Sequence, residues 1–141
     1  MVLDSPTAFF ELITGFDSAF QAGSSLKPLV YAMAFSELDD DGMPTWKASD
    51  TVPNHRRTFE NTNGWKPRNL SGYTKTASLA YGLSWSQNVA TASLLEQLGG
   101  PGKLIDFAKR FDFDTTYWKE EMGLSLGQAE VTPLEMSRMV S

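Results

Sequence analysis

The sequence contains no cysteine. Thiolate nucleophiles, zinc–thiolate centres and disulfides are therefore excluded. It has one histidine, His55, next to Arg56 and Arg57 and with no acidic neighbour or second ligand beside it. An exposed ring is expected there, not a base or a metal ligand. No apolar run approaches the roughly 20 residues that a membrane-spanning helix needs. The first residues lack the basic stretch followed by an apolar one that marks a signal peptide. Clustered positive charge is also missing. Lys and Arg number 12 against 17 Asp and Glu, a net charge of −5. Phosphate binding needs a basic face, so nucleic acid is not an expected partner.

What is present suits a globular domain with a single core. The 141 residues are 41% hydrophobic and 21% charged, ordinary values for such a chain. Residues 2–4 and 9–14 read as two short strands, with turn chemistry in Ser5-Pro6-Thr7. A helix is predicted from Ser24 to about Leu38, with Ser24 as a plausible N-cap and Pro28 in its first turns. Its apolar residues run nearly all round, which places it centrally. Asp39-Asp40-Asp41-Gly42 stops it. The aspartates read as a solvated turn, because no spaced calcium loop follows. Residues 43–73 show no clear period and carry Pro, Asn, Gly and Trp. Short helices are predicted over 76–84 and 89–98. Gly99-Gly100-Pro101-Gly102 is a stop, and a further helix runs from Lys103 to about Phe111. Thr132 and Glu135 form a capping box that opens a last helix. Trp46, Trp65, Trp85 and Trp118 read mostly as core or surface anchors, with Trp85 able to line a cleft.

One arrangement carries chemistry. Ser24 precedes Lys27 by three residues, at the head of the apolar helix. Such residues share a helix face, with Cβ atoms about 5–6 Å apart. A buried lysine is pushed toward its neutral form and can then activate a serine. A lone serine-x-x-lysine is weak evidence, since roughly one is expected by chance in a few hundred residues. The ordinary reading is a helix cap and a surface lysine. A second element, Ser86-Gln87-Asn88, lies in a break between two helices. It reads either as another cap or as a hydroxyl and an amide presented toward the nucleophile.

Taken in order, these segments resemble the transpeptidase domain of penicillin-binding proteins, most closely the class A kind. Gly23-Ser24-Ser25-Leu26-Lys27-Pro28 with Val30-Tyr31 is similar to that family's nucleophile motif, and Ser86-Gln87-Asn88 to its second motif. Trp65-Lys66-Pro67-Arg68-Asn69 resembles its Trp-x-Pro-x-Asn segment. Leu124 through Met136 resembles a hallmark stretch that follows. The likeness runs over nearly the whole chain in the right order.

The resemblance implies an α+β, mostly helical fold: the helical part of the β-lactamase/transpeptidase-like fold, a short N-terminal hairpin, and most of the central sheet missing. It implies that residues 1–141 form a partial transpeptidase domain. Ser24 would be the acylated nucleophile and Lys27 its general base. Ser86 would relay protons, and Asn88 would hold a substrate amide. Trp85 is a candidate substrate-binding residue beside them. Peptidoglycan stem peptides ending in D-alanyl-D-alanine would be the substrate, and β-lactams would block the serine. No cofactor or metal is implied. The parent protein would be membrane-tethered and face outward from the cytoplasm. A non-catalytic penicillin or peptidoglycan sensor is the alternative.

Several features depart from the family pattern. Its third motif, lysine-threonine/serine-glycine, does not occur in the 141 residues. Lys75-Thr76-Ala77 imitates it, but lies before Ser86, lacks the glycine and reads as the start of a helix. Part of a longer domain, or one chain of a divided one, is expected. The segment from Phe16 to Ala22 is shorter than usual. Ala8 stands where a turn glycine is typical, and Asp112 where a glycine is common.

Overall fold

The computed structural model describes residues 26–126. The strands expected at 2–4 and 9–14, the helix from Thr132 and Ser24 itself lie outside them. Helix α1, Lys27–Ser36, buries every residue from Pro28 to Phe35. Being apolar all round, it takes the middle of the core. Its N-cap is Leu26, whose carbonyl accepts the Leu29 and Val30 N–H groups at 3.1 and 3.3 Å. Pro28 costs nothing there, because the first turn has no internal partner for its absent N–H.

Glu37 turns extended and ends α1. An isolated bridge between Leu38 and Pro44 closes the acidic turn. The Asp39 carboxylate accepts the Asp41 and Met43 N–H groups, both at 2.9 Å. All three aspartates are exposed, as a solvated turn requires.

Two short strands follow, β1 (Thr51–Pro53) and β2 (Thr76–Ser78), paired antiparallel with Val52 opposite Ala77. This pairing corrects two expectations. Thr51–Pro53, inside the 43–73 run that shows no clear period, forms a strand. Lys75-Thr76-Ala77 does not start a helix: Thr76 and Ala77 belong to β2, and Asn54 extends the ladder through its N–H to the Lys75 carbonyl at 3.2 Å. The helix, α2 (Leu79–Ser84), begins only where the Ser78 hydroxyl caps the Tyr81 N–H. Leu79 and Leu83 are buried on its inner face.

Helix α3, Asn88–Gln97, buries Val89 to Leu95 and packs on α1, β1, α2 and a 3₁₀ turn at Met122–Leu126. Gly99 and Gly100 both take positive φ, and the Gly100 N–H returns to the Leu95 carbonyl at 2.9 Å, closing α3. Helix α4, Pro101–Lys109, starts two residues before the expected Lys103 because Pro101 fits its first turn. Leu104, Phe107 and Ala108 face the core. The long segment between β1 and β2 is irregular, as the sequence suggests. It is pinned to α3 by Arg57, which reaches Ser93 and Glu96 and lies over the Phe59 ring.

Candidate functional site

Lys27 opens α1, and its half-buried side chain leaves the helix toward the α2–α3 connection. Its Nζ donates to Ser86 Oγ at 2.9 Å and to the Ser86 carbonyl at 3.3 Å. The two residues are 59 apart in sequence. Burial holds the Lys27 amine below its usual 10.5, because a desolvated ammonium is disfavoured. One turn further along α1, the fully buried Tyr31 hydroxyl lies 3.0 Å from Thr91 Oγ1 on α3. Thr91 Oγ1 in turn donates to the Gln87 carbonyl at 2.9 Å. Two successive turns of α1 thus bracket the Ser86-Gln87-Asn88 loop. α2 approaches closely because Gly82 has no side chain: a Cβ there would lie 2.5 Å from the Tyr31 hydroxyl oxygen.

Ser86 adopts φ +52°, a left-handed conformation that costs a non-glycine residue about 1–3 kcal/mol. Backbone bonds from Trp85, Ser86 and Gln87 N–H groups to Tyr81, Leu83 and Gly82 carbonyls hold it there. Asn88 donates from Nδ2 to the Arg68 carbonyl at 2.6 Å. Its Oδ1 is buried and has no hydrogen-bond partner among the described residues. Trp85 is 64% exposed, its ring centroid 6.1 Å from that of Tyr81. Lys27, Trp85, Ser86 and Asn88 are therefore gathered around one loop. The pairing of Lys27 with Ser24 lies outside the described residues. His55 is exposed, with Nδ1 3.2 Å from the Arg56 carbonyl.

Sequence reasoning missed the support beneath this loop. The Asn54 side chain, fully buried, donates to Thr74 Oγ1 and Gln87 Oε1 at 2.9 and 3.1 Å. Its Oδ1 accepts from Asn69 Nδ2 and from the Ala90 N–H at 2.9 and 3.2 Å. Asn69 Oδ1 accepts the Val89 N–H at 2.9 Å. Gln87 Nε2 donates to Ser71 Oγ and the Trp85 carbonyl at 2.8 and 3.2 Å. Asn69 carries a signal, as the last residue of the Trp65-to-Asn69 segment. Asn54 carries none, standing in an aperiodic run of polar residues.

Comparison with known proteins gives the family. The chain is 30% identical over 129 residues to penicillin-binding protein 1A of Haemophilus influenzae, and 26% identical over 122 residues to that of Vibrio cholerae. Each match covers 86% of this chain but only 14% of the relative. The crystal structure of the Haemophilus influenzae protein superposes with a TM-score of 0.71 at 28% identity, over 85% of this chain and 17% of that one. The model of the penicillin binding protein transpeptidase domain matches residues 6–141, and the chain belongs to that family.

Proposed function

We propose that residues 1–141 are the nucleophile-bearing part of a serine D,D-transpeptidase domain. Neutral Lys27 removes the proton of Ser24 Oγ as it attacks the carbonyl of the penultimate D-alanine of a stem peptide. The peptide C–N bond breaks, and terminal D-alanine leaves with a proton delivered through Ser86. An amine on a neighbouring strand then attacks the ester, forming the cross-link and freeing Ser24. β-Lactams acylate the same serine.

The observation that carries this reading is the 2.9 Å bond between Lys27 Nζ and Ser86 Oγ. With the amine as donor, the serine hydroxyl keeps its own proton for the leaving nitrogen, as general acid catalysis requires. The unpartnered Asn88 Oδ1 supports a second element: it is an acceptor of the kind that a substrate amide N–H needs. The exposed Trp85 ring offers a wall beside it. This substrate puts the parent protein outside the cytoplasm, tethered to the membrane.

Fluorescent penicillin applied to the intact protein tests the reading. Covalent labelling is expected, and Ser24→Ala should abolish it. Labelling that survives Ser24→Ala refutes the assignment. Stable acylation with no cross-linked product from stem peptides would place the protein among penicillin sensors instead.

A further inference from the structure

We propose that Asn54 is a positioning residue for Ser86, acting through Gln87, a role that rests on the transpeptidase reading above. Asn54 is 0% exposed and uses its whole side-chain hydrogen-bonding capacity, two donations and two acceptances, while its backbone makes one of each. It binds Gln87 Oε1, and the same Gln87 amide reaches back to hold the Trp85 carbonyl, so the link through Gln87 spans Ser86. Beyond Gln87 it caps the Ala90 N–H, while Asn69 caps Val89. Helix α3 has no capping bond from the side chain at its own N-cap, Gln87. Side chains 20 and 36 residues away do that work.

This arrangement matters for Ser86 more than for stability alone. A serine at φ +52° is strained and stays there only if its surroundings over-determine it. Release of either anchor lets the turn relax, and Ser86 Oγ then moves relative to Lys27 Nζ. Misplacement of a reacting group by about 1 Å can cost about 100-fold in rate.

The test is Asn54→Asp in the intact protein. Aspartate keeps the volume and the Oδ1 acceptor, but turns an oxygen toward Gln87 Oε1 where Nδ2 donated. Reaction with fluorescent penicillin is followed so that the acylation rate constant is separated from the dissociation constant of the initial complex. The rate constant is expected to fall about 10–100-fold, with the dissociation constant nearly unchanged. Arg57→Ala is the control: it loosens the same segment from α3 at Ser93 and Glu96 without touching Gln87. It should lower the melting temperature and leave the rate constant alone. If Asn54→Asp does not fold, Gln87→Met breaks the same link from the other side and is read identically. An acylation rate constant within about twofold of the parent in the folded variant overturns the proposal, as does an equal loss in Arg57→Ala. Either result leaves the Ser24 assignment standing. Labelling that persists in Ser24→Ala removes that assignment, and the role of Asn54 with it.

Discussion

In the proposed mechanism Lys27 has two opposed requirements. As a base it must be neutral, and as the donor to Ser86 it must keep at least one N–H. Burial serves the first by lowering its pKa, and a neutral amine still meets the second. If Lys27 is the base, the active form is the deprotonated one, and the acylation rate is expected to rise with pH through the depressed Lys27 pKa. Lys27→Arg, permanently charged, should lose about 10²–10⁴ in acylation rate and show no recovery at high pH. A pH profile of penicillin labelling checks both. The stability linkage has the same direction. The folded state binds this proton less tightly than the unfolded chain does. Stability from this group therefore rises with pH, from the folded pKa up to the ordinary 10.5. Asp112 presents a separate strain at φ +62°. Asp112→Gly removes it, offset in part by glycine's larger entropy loss, and should stabilise the protein by about 0.5–1 kcal/mol in a denaturant titration.

Among the elements, α1, α2 and α3 meet closely at Gly82. Gly82→Ala would drive a Cβ into the Tyr31 hydroxyl and to within 3.3 Å of the Ala90 Cβ. A destabilisation of about 1–3 kcal/mol is expected, as for other overpacked cores. Tyr31→Phe alone should cost about 1 kcal/mol by losing the bond with Thr91. In the Phe background the Gly82→Ala penalty should shrink, because the clashing atom is gone. Equilibrium unfolding of the double-mutant cycle measures that coupling. The helices were legible because their signals are local: the unbroken apolar run of α1, the glycine stop after α3, the paired leucines of α2. Strand β2 was not legible, since its three residues make sense only opposite Thr51, Val52 and Pro53. The same holds within the site. Lys27 and Ser86 could be named from motif order, whereas the link from Asn54 to Gln87 could not, because a buried amide network is defined by partners distant in the chain.

For the molecule as a whole, Lys27 and Ser86 have no platform separate from the core among the described residues. Lys27 rides on α1, whose buried face meets α2, α3, α4 and the 3₁₀ turn, while Ser86 lies between α2 and α3. The two halves of the site therefore stay in register only while one continuous cluster, from Leu26 through Leu94 to Leu124, remains packed. Leu94 is fully buried in that cluster. Leu94→Ala is expected to destabilise by about 2–5 kcal/mol, the transfer loss plus a cavity. It lies six residues into α3 from Asn88 and takes no part in the hydrogen bonds of Lys27 or Ser86, so in native buffer the acylation rate should hold. In denaturant, penicillin labelling and tryptophan fluorescence (Trp118 is buried against Phe113) should be lost over the same concentration range, shifted down together in the variant. Labelling lost well before fluorescence would show instead that the loop opens locally, independent of the core.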